Sequence, residues 1–470
     1  MSLRRVCSLI PIAALVAAAS CSHEPVAAPI SADRGALFKA TAPAGVTVTS
    51  TNPPFGDVGT TLDVHVFGSG FTSGAQATWL LHGVANPAKV HTNSTQFVSS
   101  SELVANVSVS TDADLAFWDV QVALLGGKNG VGSEVHEITA ARILGTGTVA
   151  GDSYVYAMSD QQQVAGYSTG SGSIAFIYDD AFGMLSLGAG QAWGIDPLGG
   201  VVFGRDGNFI ATAWTRQVDN SFLAQPLPAS ASSLGGNATG ASRADDGTLL
   251  VTGWETIPTG KRSNPEVNRP VLWRMTGTVW SPPTYLAMPT GATTSGGQDV
   301  NHLGQVVATV DGLTNLGAVW DDPAVPVRLD GAPSAINESG NLIVGSRKSV
   351  PVYWWRTPAG AWTTIGVPLP TIAGASCTSG GARDVNSAGV IVGVSCNTSG
   401  KNQATEWKLD LSSGTPTLIG APIALSGLGV KKTSTSELSS ADAVTESAPY
   451  VASGTVLSTG SRLAVRWQLQ

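Results

Sequence analysis

Residues 335–346 read AINESGNLIVGS, and this stretch decides the fold because related stretches recur throughout residues 141–470. Its polar segment runs from Asn337 to Gly340 and is followed by an apolar run. An Asn, Asp, Ser or Thr side chain can cap a turn by accepting a backbone N–H two residues on, and Gly supplies the left-handed conformation that closes the turn. A short run of Leu, Ile and Val then favours a strand buried on both faces. The stretch therefore predicts a β-hairpin.

Seven such hairpins are predicted. Four have a clear polar-x-x-Gly turn, at Asp196–Gly199, Asn301–Gly304, Asn337–Gly340 and Asn386–Gly389. Three are degenerate, with Ser159 and Gln162, Asp246 and Gly247, or Thr445 and Ala448 at the turn. The repeated Asn has a second interpretation, a ligand-binding residue displayed around a ring, although turn chemistry already accounts for it.

A second phrase follows every hairpin and consists of a small residue, two others and an aromatic residue. The seven aromatic residues are Tyr178, Trp214, Trp273, Trp320, Trp354, Trp407 and Trp467. A further strand-like segment often comes next, such as AWTTIGVPL at 361–369. Four short strands in each of seven units, about 47 residues per unit, predict an all-β fold with a seven-bladed β-propeller over 141–470. We expect the aromatic residues to pack between blades rather than to form a carbohydrate platform.

The last unit ends at AVRWQLQ and lacks a fourth strand. The segment ITAARILGTGTVAG, residues 138–151, looks like a fourth strand with no other place in the pattern. We therefore expect it to complete the final blade, so that the propeller is closed by an N-terminal strand and open edges are removed. A linear solenoid would instead need a polar cap at each end.

Two family resemblances follow from these motifs. The order INxxGxVVG, then AxxW, then xLG resembles the HAF-type repeats of bacterial extracellular proteins, which implies a propeller-like extracellular domain and no established catalytic residues. Upstream, Pro53-Pro54, the turn at 68–71 (GSGF) and the segment at 118–122 (WDVQV) resemble an IPT/TIG-type domain. That resemblance implies an immunoglobulin-like β-sandwich over 44–140; a β-sandwich of another family is the alternative.

The N-terminus has the pattern of a bacterial export signal. Arg4 and Arg5 precede an apolar stretch that is too short to span a bilayer. The residues before Cys21 resemble a lipobox, which implies a signal peptide at 1–20, cleavage before Cys21 and lipidation of that residue. Ala18 departs from the commoner Leu, so ordinary cleavage without lipid stays open. Ser22, rather than Asp, favours the outer membrane or cell surface, and the Ala- and Pro-rich segment 21–43 suits a tether.

Two cysteines remain in the exported part of the chain. A single pair in an oxidising compartment predicts a disulfide between Cys377 and Cys396. The turn at 386–389 lies almost midway between them, so a hairpin folded there would bring them to facing positions. A metal site is the weaker alternative, because neither cysteine has a His or a second Cys nearby.

No gathered set of catalytic, cofactor-binding or metal-binding residues is predicted. The pattern GYSTG around Ser168 fits a nucleophile elbow, but that motif needs a strand-to-helix turn. His302 is the only His in the repeat region, and the others are scattered at His65, His82, His91 and His136 or lie in the tether. Paired carboxylates occur at Asp112 and Asp114, Asp179 and Asp180, Asp245 and Asp246, and Asp321 and Asp322, and surface turns account for them. A net charge of −8 and the lack of a basic cluster argue against nucleic acid as a partner.

Two functions are compatible with the sequence. The first is a lipid-anchored surface protein of the bacterial envelope that binds a protein or glycan, or acts as a scaffold, through propeller loops. The longest of these loops, 255–271, carries a local group of basic residues. The alternative is a secreted polysaccharide lyase or hydrolase, which only fold analogy supports.

Overall fold

The computed structural model describes residues 45–144, 151–170, 172–262, 264–310, 316–429, 437–458 and 461–469. The expected signal peptide, Cys21 and the expected tether lie outside these ranges. All regular elements in the described residues are β-strands. No helix capable of crossing a bilayer is found there.

The first nine strands form two sheets around one core. They are β1 (Thr47–Asn52), β2 (Phe55–Asp57), β3 (Thr61–Ser69), β4 (Gln76–Leu81), β5 (Val84–Ala85), β6 (Val90–Ser99), β7 (Glu102–Val109), β8 (Phe117–Ala123) and β9 (Asn129–Thr139). One sheet has the order β1-β3-β7-β6 and the other β2-β9-β8-β4-β5. Side chains alternate between buried and half-buried along β7 and β8, as a sandwich requires. Trp79 and Trp118 lie in the shared core.

The remaining strands begin with the short β10 (Ala141–Ile143) and fall into seven consecutive groups, which we call sheets 1 to 7. Sheet 1 contains β11 (Ser153–Met158), β12 (Val164–Ser168), β13 (Ile174–Asp179) and the first half of β14 (Gly183–Ile195). Sheet 2 contains the second half of β14, β15 (Val201–Asp206), β16 (Ala211–Arg216) and β17 (Phe222–Pro226). Sheet 3 contains β18 (Gly235–Arg243), β19 (Leu249–Lys261), β20 (Asn264–Thr276), β21 (Val279–Trp280) and β22 (Thr284–Tyr285).

Sheets 4 to 7 repeat the same up-and-down order. Sheet 4 contains β23 (Ser295–Val300), β24 (Val306–Val310), β25 (Leu316–Asp322) and β26 (Val325–Leu329). Sheet 5 contains β27 (Ala332–Ile336), β28 (Leu342–Arg347), β29 (Val350–Trp355) and β30 (Val367–Pro368). Sheet 6 contains β31 (Gly380–Val385), β32 (Val390–Cys396), β33 (Asn402–Asp410), β34 (Thr417–Leu418) and β35 (Ile423–Ala424). Sheet 7 contains β36 (Ser439–Val444), β37 (Val451–Leu457) and β38 (Arg462–Gln468), and β10 pairs with β38 as its fourth strand.

The repeated turn joins the first and second strand of each sheet, as the sequence predicts. Asn337 Oδ1 accepts hydrogen bonds from the backbone N–H groups of Asn341 and Leu342, at 3.1 and 3.0 Å. Gly340 closes the turn with a φ of 66°, a conformation that favours glycine. The following strand β28 has four consecutive buried residues. The apolar run is therefore a strand covered on both faces.

The seven repeated aromatic residues are all buried, which agrees with the predicted packing role. Four Trp indoles donate a hydrogen bond to a backbone carbonyl near the end of the preceding sheet. The pairs are Trp273 with Pro228, Trp320 with Ala287, Trp407 with Pro370 and Trp467 with Ser426, at 2.8–2.9 Å. Each of these residues thus fills apolar space and also fixes one sheet against its neighbour.

Each sheet is hydrogen-bonded to the next, and sheet 7 is bonded to sheet 1. The seven contacts, in order from sheets 1 and 2 to sheets 7 and 1, are Asp160 N to Pro197 O, Arg243 Nη2 to Asp196 Oδ2, Thr239 Oγ1 to Gly297 O, Ile336 N to Asp299 Oδ2, Ser339 N to Ser387 Oγ, Val444 N to Asp384 Oδ2, and Val155 N to Thr455 Oγ1. The sheets therefore follow one another around a closed circuit, which we call the ring.

The sandwich is hydrogen-bonded to the end of the ring. The Glu137 carboxylate accepts the backbone N–H groups of Gly427 and Gly429, at 2.8 and 2.6 Å. Thr139 Oγ1 donates to Ser426 Oγ at 2.9 Å. Because β9 ends at Thr139 and β10 begins at Ala141, the chain passes from the sandwich into sheet 7 without a spacer.

Two segments named in the sequence analysis take definite positions. Cys377 and Cys396 form a disulfide, and the turn at 386–389 joins β31 and β32 between them. The predicted loop 255–271 is instead a long β-hairpin, because β19 and β20 remain paired as far as Lys261 and Asn264. Of the expected closing segment, Ala141 faces Trp467 across the β10–β38 pair, and residues 145–150 lie outside the described ranges.

Candidate ligand-binding site at the centre of the ring

The first strand of every sheet contains one β-bulge, and the bulge occupies an equivalent position each time. A bulge leaves one residue outside the ladder of paired residues and redirects its side chain. The seven residues in this position, called the bulge residues below, are Tyr156, Trp193, Thr239, Gln298, Ser334, Arg383 and Asp442.

All seven bulge residues line one cavity of about 300 Å³. Every sheet therefore contributes to the same cavity. This arrangement identifies the cavity as the centre of the ring, and it is the place where side chains from all seven sheets meet. Cavities at such convergence points are common ligand sites in proteins.

One wall of the cavity is aromatic. The rings of Tyr156 and Trp193 lie 4.2 Å apart between centroids and are tilted by 47°. Tyr167 stacks on Tyr156 with a centroid distance of 5.6 Å and lies 6.1 Å from Trp193, and Tyr154 stacks on Tyr167 at 5.4 Å. Burial, together with Tyr167, raises the pKa of Tyr156 above its usual value, so its hydroxyl stays protonated. The row of four rings makes this wall rigid.

The facing wall is polar, and several of its groups have no partner within the described residues. Ser334 and Arg383 make no side-chain hydrogen bond or ion pair there, although the charge of Arg383 acts on Asp442. Gln298 uses its Nε2 for a bond to Gly296 O at 3.2 Å, which leaves its Oε1 without a donor. The buried Trp193 Nε1 also lacks an acceptor in this part of the chain. Trp193 Nε1 is buried, whereas Ser334 and Gln298 are half-buried and Arg383 is exposed. All four line a concave surface, so they are suited to contact a ligand.

Two buried carboxyl groups beside the cavity hold the ring together. Asp299 accepts Val300 N and Ile336 N, at 2.8 and 3.0 Å, and so ties sheet 4 to sheet 5. Asp384 accepts Val385 N and Val444 N, both at 2.8 Å, and ties sheet 6 to sheet 7.

Burial governs the protonation of these two groups. It raises the pKa of Asp299 well above its usual value, and the nearby charge of Asp384 adds to the effect. Burial also raises the pKa of Asp384 to about 7, although its two backbone N–H bonds oppose the shift. Their oxygens are occupied by backbone groups, so we assign both residues to structure rather than to chemistry.

Asp442 differs because it is itself a bulge residue. Ser440 Oγ donates to its Oδ2 at 2.6 Å, while Oδ1 accepts no hydrogen bond within the described residues. Burial raises the pKa of Asp442 to about 6, against the attraction of Arg383 on the neighbouring first strand. Asp442 is thus largely ionised at neutral pH and has one oxygen available toward the cavity.

Further carboxylates line the cavity at the end where the repeated turns lie. They are Asp160, Glu338 and Glu446, which belong to the turns of sheets 1, 5 and 7. Asp160 Oδ1 accepts Glu446 N at 2.9 Å, and Glu446 accepts Ser387 N at 3.0 Å. Arg383 is the single Lys or Arg residue that lines the cavity within the described ranges. The field at this end is therefore negative.

The candidate residues from the sequence do not meet at this cavity. Ser168 lies on β12, is buried, and bonds to Ser153 Oγ at 3.1 Å, and no helix follows it. His302 sits in a turn near Glu338, at 3.3 Å between Nδ1 and Oε2. The histidines of the sandwich lie apart, with His65 paired to Glu102 and His136 buried beside Trp79.

The paired carboxylates act mainly in ion pairs and turns. Asp179 pairs with Arg216, and Asp180 pairs with Arg466. Asp112 pairs with Lys89. Asp246 accepts Thr248 N at 2.9 Å in its own turn. Across the described residues, no three His, Cys, Asp or Glu side chains are arranged to hold a metal ion.

The bulge residues were missed by the sequence analysis, although a signal for them exists. In six of the seven sheets the bulge residue stands three positions before the first turn residue, as Ser334 stands before Asn337. In sheet 3 the spacing is five, because Thr239 precedes a turn that begins at Ala244. The seven residues share a position but no chemical type, so they leave no repeated letter in the sequence.

No protein-family model matches this chain, and no curated protein matches it. Among solved structures, a Bacteroides thetaiotaomicron VPI-5482 protein of unknown function is 11% identical, with a TM-score of 0.38, and the match covers 90% of this chain and 98% of that one. The β-propeller domain of Cps50 (Swd1) from Myceliophteria thermophila is 12% identical, with a TM-score of 0.39, covering 70% and 100%.

Puromycin hydrolase is 14% identical in its complex with PGG, with a TM-score of 0.42, and the match covers 66% of this chain and 50% of that one. Similarity at this level carries no argument about fold or function. Strand pairing and the contacts between sheets define the ring.

Proposed function

We propose that this protein is an exported, lipid-anchored surface protein of the bacterial envelope whose ring is a binding module for a glycan or a protein. In this proposal the seven sheets are the blades of a β-propeller that β10 closes, and the sandwich is an immunoglobulin-like domain between the anchor and the ring. The observation that carries the proposal is the cavity into which each sheet places one bulge residue.

The cavity supports binding for two reasons. It combines a rigid aromatic wall with polar groups that have no partner within the described residues, which is the usual composition of a small-molecule site. Its carboxylates at Asp299 and Asp384 are already engaged by backbone N–H groups. The site is therefore better equipped to recognise a ligand than to transform one.

The anchor is supported by the sequence around Cys21. A Cys21→Ser variant expressed in a bacterial host should incorporate no fatty acid, because the thiol that would carry the lipid is gone. Metabolic labelling with a radioactive fatty acid measures this effect. Equal labelling of the variant and the unchanged protein would contradict the anchor.

Binding is tested on the mature chain without its signal peptide. We expect the unchanged chain to bind a glycan on an array or to capture a protein from envelope extracts. A variant shortened within 255–269 tests the hairpin that the sequence analysis favoured as the binding surface. If binding survives this change but is lost on changing bulge residues, the cavity is the site. Absence of both glycan and protein binding would contradict the proposed function.

The second candidate function is a polysaccharide hydrolase or lyase, which one observation favours. Asp442 faces the cavity, has a pKa of about 6, and could serve as an acid or base in proton transfer. Glycoside hydrolysis by two carboxyl groups needs a second one at a defined separation. A panel of polysaccharides incubated with the mature chain tests this candidate, and turnover that Asp442→Asn abolishes would establish it.

A further inference from the structure

We infer that the ligand of the central cavity is a short uncharged saccharide, bound with a sugar ring on Tyr156 and Trp193, and that acidic saccharides are excluded. This inference deepens the proposed function and rests on it. It names the class of ligand and the residues that recognise it.

The size of the cavity limits the ligand. Its volume of about 300 Å³ lies at the lower end of ligand pockets, which run from roughly 300 to 1,000 Å³. A protein surface or a folded partner domain could contribute only a projecting group to a cavity of this size. A small molecule or the end of a short oligosaccharide fits it better.

The aromatic wall indicates how such a ligand would lie. A sugar ring has an apolar face of C–H groups, and that face packs favourably against an aromatic ring. Tyr156 and Trp193 are half-buried bulge residues of adjacent sheets. Tyr167 and Tyr154 continue the stack behind Tyr156, so the platform is held in place before a ligand arrives.

The polar bulge residues supply the groups that sugar hydroxyls need. Gln298 Oε1 and Asp442 Oδ1 are acceptors, the Arg383 guanidinium is a donor, and the Ser334 hydroxyl can act as either. These groups come from sheets 4 to 7, whereas the aromatic residues come from sheets 1 and 2. A ligand at the centre would therefore meet an apolar surface on one side and hydrogen-bonding groups on the other.

Charge decides between saccharide classes. Asp442 is a bulge residue, and Asp160, Glu338 and Glu446 line the same cavity. Among the described residues, Arg383 is the single cationic residue that lines it. A uronate or sulfated sugar would enter a field of its own sign, which disfavours it. A neutral sugar carries no net charge, so this field does not repel it and does not lower its affinity.

The test uses the mature chain and two matched sets of oligosaccharides, one neutral and one of the same length bearing uronic acids. Calorimetry should detect neutral oligosaccharides, with acidic ones at least tenfold weaker. Trp193→Ala and Tyr156→Ala should each weaken neutral binding by about tenfold or more, because each removes half of the platform. Phe182→Ala is the matched control, since Phe182 is a half-exposed aromatic residue that does not line the cavity.

Thermal unfolding of each variant checks independently that it is folded. Trp193→Phe should bind neutral oligosaccharides almost as well as the unchanged protein, because it keeps an aromatic face. Neutral binding that is unchanged in both alanine variants overturns the inference, as does tighter binding of the acidic set. Protein binding without any saccharide binding overturns the inference but leaves the proposed function standing. No binding of either kind overturns both.

Discussion

Arg466 donates a hydrogen bond from Nη2 to Asp180 Oδ1 at 2.6 Å and so joins the last strand of the chain to the first sheet of the ring. The same guanidinium donates from Nη1 to Gln162 O at 2.8 Å and lies over the ring of Tyr178. Burial opposes ionisation of Asp180, but the hydrogen bond and charge of Arg466 hold its pKa below the usual value. This ion pair is one of the polar links across the closure of the ring.

Replacing Arg466 by Met should lower the free energy of unfolding by about 1–3 kcal/mol, because the charged hydrogen bonds of a buried guanidinium are lost while its apolar stem is kept. Urea unfolding followed by tryptophan fluorescence measures the change. Arg142→Met is the matched control, since Arg142 approaches the same Asp180 at 3.3 Å but its side chain is 63% exposed. Arg142→Met should lower the free energy of unfolding by less than about 1 kcal/mol. Equal effects of the two variants would contradict the importance of burial here.

Trp320 represents the repeated aromatic residue. It is buried in the core between sheets and donates its indole N–H to Ala287 O at 2.9 Å. Trp320→Ala should destabilise the protein by about 3–5 kcal/mol, since it opens a large cavity and leaves a carbonyl unpaired. Denaturant unfolding gives the value. Phe182→Ala, at a half-exposed aromatic residue, should change stability by no more than about 0.5 kcal/mol.

Replacing a turn glycine can cost free energy in two ways, through backbone strain at positive φ and through overlap of the new Cβ with its neighbours. Gly340 and Gly360 allow these two effects to be measured separately. Both have positive φ, 66° and 85°. A Cβ at Gly340 would overlap Gln305 Oε1 and Leu303 Cδ1, whereas a Cβ at Gly360 meets nothing. Gly360→Ala should therefore cost about 1 kcal/mol of backbone strain alone. Gly340→Ala should cost more, because Gln305 Oε1 accepts a hydrogen bond from Asn301 Nδ2 and would lose it on moving aside. Thermal unfolding compares them, and a similar loss for both would show that the neighbouring sheet yields without penalty.

The disulfide between Cys377 and Cys396 closes a loop with a sequence separation of 19. In the chain-entropy treatment a loop of this length stabilises a fold by about 3 kcal/mol. The double variant Cys377→Ser/Cys396→Ser should lose that amount in urea unfolding at pH 7. Adding a reductant to the unchanged protein should reproduce the loss and should leave the double variant unaffected. A reductant effect on both proteins would point to another cause.

Asp442 should make stability depend on pH in a defined direction. Its pKa is raised to about 6, so the folded protein holds a proton that the unfolded chain releases near pH 4. The contribution of this group to stability therefore falls as the pH rises from about 4 to about 6. The Asp442→Asn variant has no ionisable group here and does not lose this stability. Its free energy of unfolding relative to that of the unchanged protein should therefore increase from about pH 4 to about pH 6 and level off above pH 7.

Asp246→Asn is the control for this pH dependence. Asp246 is an exposed turn residue whose pKa is lowered by its hydrogen bonds with Thr248. Its contribution is present above about pH 4 and is lost below, which is the opposite sign. Chemical unfolding of all three proteins at five pH values between 4 and 8 should show the trend for Asp442→Asn and a constant difference for Asp246→Asn. A gap between Asp442→Asn and the unchanged protein that is constant with pH would contradict the assignment.

The repeated hairpins and the core positions could be predicted because each depends on local chemistry. The Asn337–Gly340 turn needs a capping side chain and a left-handed residue, and both are visible in the sequence. Gln162 shows the limit of that rule, since it takes a φ of 61° at a turn position without being glycine. The buried aromatic residues were predictable because a large apolar side chain at a constant place in each unit has few alternatives to the core.

The cavity could not be predicted, because it depends on which residue of each first strand stands outside the ladder. The spacing of three residues before the turn recurs in six sheets, but it singles out Arg383 only after the bulges have been seen in the structure. Its role appears only when β31 is paired with β32 and surrounded by the other sheets. The prediction of a loop at 255–271 was wrong for a related reason. The segment stands between the second and third strands of its unit, but continued pairing of β19 with β20 extends both strands through it.

The β-bulges give the ring an unusual capacity for change. A residue outside the ladder takes no part in the pairing of its strand, so its side chain can be exchanged while the backbone and the packing behind it persist. Six of the seven bulge positions can vary in this way on a constant backbone, whereas Thr239 cannot, because its Oγ1 joins sheet 3 to sheet 4. A protein built this way can acquire a new specificity by single substitutions at its axis without refolding, and its descendants need resemble one another only in what surrounds that axis.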